Sequence, residues 1–189
     1  MARAGLTADR LARAGAELAD EVGFEHVTVS AVARRFDVKL ASLYSHVQGS
    51  DDLRTRIALL ALEELADLAA AAVAGRSGRD ALVAYADVYR DYAHEHPGRY
   101  AATSLPLDHA TALAGSGPRH AELSRAVLRG YGLAGPDQTH AVRLLGSLVH
   151  GFTTLELGGG FDHSEPDSQT SWVRLLDALD ALLRSWPAP

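Results

Sequence analysis

Apolar residues return every three or four positions along almost the whole of this 189-residue chain, and no β-branched run alternates with period two. That pattern predicts an all-α protein without strands. Thr7 stands where it can cap a first helix whose inward stripe is Leu11, Ala14, Leu18 and Val22, and Gly23 ends it. Thr28 is placed to cap a second, short helix, VSAVARRF, with Val29, Val32, Ala33 and Phe36 inward and Arg34 and Arg35 outward. FDVK breaks that helix. A third short helix is expected over LASLYSHV, with Leu43 and Val47 as its inward pair. Ser50 is expected to cap a fourth that runs to Ala74, with Asp51 and Asp52 in the first turn where the helix dipole favours carboxylates.

Beyond GRSGR, the best interior linker, a helix is expected from Arg79 to Glu95, halted because the residue before Pro97 is pushed out of helical geometry. Further helices are expected over Arg119 to Tyr131, from Pro136 onward, and over Gln169 to Ser185, with GGGFDHSEPDS as the loop between the last two. The stretch from Ser104 to Pro118, broken by Pro106, Gly115, Gly117 and Pro118, is assigned no element.

The spacing that says most about function is residues 28 to 47: a capped short helix, a turn around Asp37 and Val38, and a second short helix. Crossed and backed by a third helix, here Thr7 to Val22, such a pair forms the unit that lays its second member in a DNA major groove. A plain helical hairpin within a bundle has the same pattern. The net charge of -6 speaks against coating nucleic acid by bulk attraction, but residues 1–60 hold eight basic and eight acidic side chains, so the whole deficit lies in the remainder. Without cysteine there is no disulfide framework and no thiolate nucleophile or metal ligand. No apolar run approaches the ~20 residues of a membrane span, and MARAGLTADR lacks an apolar leader, so a cytoplasmic protein is expected. None of GxSxG, HExxH, GxGxxG or a P-loop occurs, so an enzyme is not expected, nor any cofactor.

TVSAVARRFDVKLASLYSHV, preceded by LARAGAELADEVGFEHV and followed by QGSDDL, resembles the N-terminal DNA-binding domain of the TetR family of transcriptional regulators. The resemblance rests on Gly23-Phe24, Thr28, Val32-Ala33, Val38 and Leu43-Tyr44-x-His46. Four positions depart from it: Asp37 for a usual Gly, Ala41 for Gly or Pro, Val47 for Phe, and Ser50 for a common Lys that reaches a phosphate. SLVHGFTTLELGGGF more weakly resembles the WHG type of C-terminal domain, with His150 and Gly151 matching and Gly146 in the Trp position. The resemblance implies a helix-turn-helix domain over residues 1–50 and a ligand-binding and dimerisation domain over 51–189. It also implies a homodimer on a palindromic double-stranded operator, a small-molecule effector, and repression relieved by that effector. The alternative is a helical ligand-binding or interaction module whose DNA binding is weak or lost, favoured by the neutral head and Ser50.

By the same resemblance Tyr44 and His46 contact phosphates, as does Thr28 at its helix start. Lys39 and Ser42 are better placed for base edges, and Leu40 and Ser45 also face outward. For Tyr44 a ring packed into the head's core is the competing reading. Tyr85, Tyr89 and Tyr92 share one helix face, which with Leu62, Leu65, Ala69 and His150 gives the candidate effector wall; a plain core stripe is the commoner meaning of that spacing. Asp91, His94, Glu95 and His96 read as a solvated helix end, so no metal is expected. Doubled apolarity on the last two long helices gives the candidate dimer interface: Leu148, Phe152, Trp172, Leu175, Leu179 and Leu182.

Overall fold

The computed structural model describes residues 5–186, and every regular element among them is helical. The helices are α1 (Ala8–Val22), α2 (Val29–Arg35), α3 (Ser50–Val73), α4 (Gly78–Glu95), α5 (Pro97–Ala102), α6 (His109–Ala114), α7 (Gly117–Leu128), α8 (Gly135–Leu157) and α9 (Ser168–Arg184). No helix among the described residues is long and apolar enough to cross a membrane. The chain forms two compact units, and they divide it differently from the expected functional division at residue 50. One takes the described N-terminus to Glu64 together with Glu95–Ser116; the other takes Leu65–His94 and everything from Gly117 onward. The continuous helix α3 therefore contributes residues to both.

In the N-terminal unit, the Arg10 amide donates to Thr7 Oγ1 and the Ala31 amide to Thr28 Oγ1, so both expected caps form. Gly23, at φ 93, ends α1 in a conformation that costs glycine little. The small residues of α1 permit close packing: a Cβ on Gly15 would lie 2.6 Å from Ile57 Cδ1 of α3. Helix α5, which the sequence pattern missed, crosses α1 more tightly still. A Cβ on Gly98 would overlap the backbone carbonyl of Ala19. Asp20 holds the crossing, accepting from the Arg99 amide at 2.8 Å with its other oxygen 3.1 Å from Arg99 Nε. Leu11, Val32, Leu43, Leu53 and Ile57 are buried in this unit's apolar cluster.

Two local expectations change. The segment over LASLYSHV is no regular α-helix: Leu40–Ser42 is a single 3-10 turn, followed by turns to His46. Lys39 offers no capping oxygen at its start, and Ser45 Oγ donates to the Ser42 carbonyl at 2.9 Å, competing for a backbone acceptor as serine does in short helices. Ser50 does not cap α3. Its Oγ accepts from the Val29 amide at 3.3 Å, across to the first turn of α2, while Asp52 reaches back to accept from the Gln48 amide at 2.8 Å.

In the C-terminal unit, α4, α7, α8, α9 and the last turns of α3 surround a core that includes Leu82, Leu128, Leu145, Phe152, Trp172, Leu176, Leu179 and Leu183. Asp167 caps α9, accepting from the Thr170 amide at 2.7 Å. Gly130 closes the turn after α7 against Gly78, where a Cβ would stand 2.8 Å from the Gly78 nitrogen.

Candidate nucleic-acid interface

The turn between α2 and residues 39–47, the expected recognition segment, places Asp37 at φ 51, left-handed geometry that an Asp adopts more readily than most residues but less readily than the Gly that the resemblance puts in this turn. From there Val38, Leu43 and Val47 pack inward, while Lys39, Leu40, Ser42, Tyr44 and Ser45 are exposed and His46 is half-buried. Tyr44 is 56% exposed, so its ring does not complete the head's core. Thr28 lies half-buried at the start of α2; its hydroxyl oxygen accepts from Ala31, and a hydroxyl can donate as well as accept. Ser42, Ser45 and His46 line a groove of about 660 Å³ with Leu6, Arg10, Phe36 and Val38. Lys39, Tyr44 and Thr28 lie outside that lining.

Charge is distributed unevenly among the basic side chains of this unit. Arg35 is tied to Glu17 and Glu21, Arg56 to Asp52, and Arg54 to the carbonyls of Glu25 and Val27. Lys39, Arg13 and Arg34, all exposed, have no partner among the described residues. Arg10 is exposed at the groove, donating to the Gly5 carbonyl. A head of zero net charge thus keeps cations available to phosphates, because its internal pairs consume carboxylates.

The candidate effector residues do not all fall in one place. Ala69, Tyr85 and Tyr89 belong to the core cluster of the C-terminal unit; Leu65 and Tyr92 are buried outside it, Leu62 lies in the N-terminal unit, and His150 is exposed on α8. None of five cavities among the described residues is lined by the three tyrosines. What surrounds Tyr85 is a chain of hydrogen bonds. Its hydroxyl lies 2.8 Å from that of Tyr89 and 2.9 Å from Ser124 Oγ, Tyr89 continues to His120 Nδ1 at 2.6 Å, and Ser124 donates to the His120 carbonyl. Burial raises the Tyr85 pKa above its usual value.

A second polar group in the same unit centres on Glu156, missed by the sequence reading although it is the lone carboxylate in the apolar stretch 144–157. Arg90 donates to both its oxygens, at 2.7 and 2.6 Å, and His94 Nε2 lies 3.0 Å away. The Arg90 guanidinium holds the Glu156 carboxyl down at about 2. It also stands over Trp172, whose indole donates to Asp87 at 2.7 Å. His94 thus pairs with Glu156 and His96 with Asp20, so the histidines before Pro97 serve different carboxylates.

Of the candidate dimer residues, Phe152, Trp172 and Leu179 are buried in the unit's own core, Leu148 and Leu175 are half-buried, and Leu182 is exposed. Helical periodicity marks apolar stripes without saying which faces the chain's own core. Leu155 and Leu157 on α8 and Val173 on α9 are also exposed.

Comparison with known proteins bears on both parts of the chain. Residues 82–179 match the family model described as "Tetracyclin repressor-like, C-terminal domain". The HTH-type transcriptional regulator YobS of Bacillus subtilis is 34% identical over 182 residues, spanning 96% of this chain and 95% of its own. Another such regulator, Rv0681 of Mycobacterium tuberculosis, is 34% identical over 157 residues, 79% of this chain and 69% of the relative. A crystal structure of a TetR variant from Acinetobacter baumannii in complex with minocycline shares the fold at TM-score 0.67 and 20% identity, covering 96% of this chain and 97% of that one.

Proposed function

This chain belongs to the TetR family of transcriptional regulators, and on that premise we propose that it is a cytoplasmic, dimeric repressor released from a palindromic operator by a small molecule. A regulator of this kind is a DNA-binding protein and not an enzyme. The observation that carries the proposal is the outward set Lys39, Ser42, Tyr44 and Ser45 on a segment anchored from behind by Leu43 and Val47. In this reading Lys39 and Ser42 approach base edges, while Tyr44, His46, Ser45 and the hydroxyl of Thr28 hold the backbone. Ser50 fastens α2 to α3 where the family commonly offers a phosphate a lysine, so the exposed Arg10, Arg13 and Arg34 carry the phosphate attraction instead.

Two copies pair through α8 and α9, and the reading is supported by two apolar rows at heptad spacing that the single chain leaves partly uncovered, Leu148 with exposed Leu155 on α8 and Leu175 with exposed Leu182 on α9. The effector enters beside Leu65, Ala69 and the Tyr85, Tyr89 and Tyr92 face, all within the C-terminal unit. Support comes from the Tyr85, Ser124, Tyr89 and His120 hydrogen bonds, a small set of polar groups within an apolar wall. The effector releases DNA only by favouring one spacing of the two heads over another. A gel-shift assay with the DNA flanking the chain's own coding region tests the proposal. Retardation of one fragment, reversed by a compound found in a thermal-shift screen, is expected; failure to retard any fragment contradicts it.

A further inference from the structure

A leucine stands among the polar side chains that the recognition segment turns outward. Phe36, Val38, Leu43 and Val47 all pack into the apolar cluster of the N-terminal unit, whereas Leu40 joins none of it and is 38% exposed. Lone exposed leucines are ordinary on protein surfaces. What distinguishes this one is its position: it opens the turn Leu40–Ser42, between exposed Lys39 and exposed Ser42. In helix-turn-helix units the first residues of the recognition element are those that meet base edges. A leucine side chain has no donor or acceptor, so the feature of a base pair that it can discriminate in the major groove is the 5-methyl group of thymine.

We propose that Leu40 is a specificity-determining residue that reads a thymine methyl in each half-site by apolar contact, beside the polar contacts of Lys39 and Ser42. The inference rests on the reading of this segment as the DNA-reading element. It makes Leu40 a source of sequence preference that leaves the phosphate contacts, and hence the salt dependence, untouched.

The full chain is used to select duplexes from a randomised pool, and the enriched sequence is resynthesised with deoxyuridine in place of each thymine in turn, which removes only the methyl. At one position per half-site the exchange weakens binding by the unsubstituted protein about fourfold, and about fifteenfold when both half-sites carry it. L40A, whose fold is checked by its thermal melt, binds the parent duplex correspondingly more weakly and is indifferent to the exchange. Unchanged binding at every deoxyuridine overturns the inference, as does an equal loss in L40A. A pool that yields no enriched sequence overturns the DNA-reading function and this inference together; an enriched sequence indifferent to deoxyuridine overturns this inference alone.

Discussion

The recognition segment of the N-terminal unit and the helices of the C-terminal unit treat polar side chains in opposite ways. On the recognition segment of the N-terminal unit, lysine, serine and tyrosine side chains are carried outward by a backbone whose apolar residues pack inward. In the C-terminal unit the informative polar groups turn toward one another: Tyr85 to Ser124, Tyr89 to His120, Arg90 to Glu156. The first arrangement presents chemistry to a partner that must come from outside. The second stores hydrogen bonds inside, where an unmatched group is costly and a change in one partner is felt by the others.

Breaking the Glu156 pair should therefore cost more than any single change on the recognition face. Arg90 and Glu156 are only 12% and 8% exposed, and E156Q leaves a buried guanidinium poorly matched, destabilising the chain by about 3–5 kcal/mol in chemical denaturation. The same pair predicts a pH dependence. Because its folded pKa lies at about 2, below the ordinary value of 4.5, its stabilisation is complete above about pH 4.5 and lost as pH falls toward 2. The wild type should lose stability through that window more steeply than E156Q.

Packing in the N-terminal unit offers a counterpart of slightly smaller size. G98V drives a side chain into the Ala19 carbonyl, where helix backbone cannot yield, and should cost about 3 kcal/mol. DNA binding would be lost with it, since α1 backs the recognition segment.

How much of this could be read in the sequence follows the same division. The caps Thr7 and Thr28 and the inward set Val29, Val32, Leu43 and Val47 are local signals, repeated at helical spacing, and so legible. The 3-10 form of Leu40–Ser42 was not, because a serine competing for a backbone carbonyl leaves the hydrophobic spacing unchanged. Helices α5 and α6, six residues each, are too short to show periodicity, and Pro97 signalled the end of one helix while also opening the next. Glu156 and Arg90 lie 66 residues apart, and Ser124 lies 39 from Tyr85. No spacing rule links such pairs; they meet only when packing brings their helices together.

The apolar residues of α9 sharpen the comparison between burial within a chain and burial between chains. L179E places a charge at a site 2% exposed and should unfold the C-terminal unit. L182E, at 44% exposure, should leave the single chain folded but shift it from dimer to monomer at micromolar concentration in sedimentation. A folded dimer for L182E would move the interface elsewhere. Smallest is S50A, which removes the acceptor of the Val29 amide and should cost about 1 kcal/mol.

If the N-terminal unit presents its polar and cationic side chains to DNA, operator binding must depend steeply on salt. With on the order of 6–10 phosphate contacts shared by two heads, affinity should fall at least about 1,000-fold between 50 and 200 mM salt. K39A should weaken specific binding more than nonspecific binding if the lysine reads a base. A nearly flat salt response, with specific and nonspecific binding alike, would contradict the account.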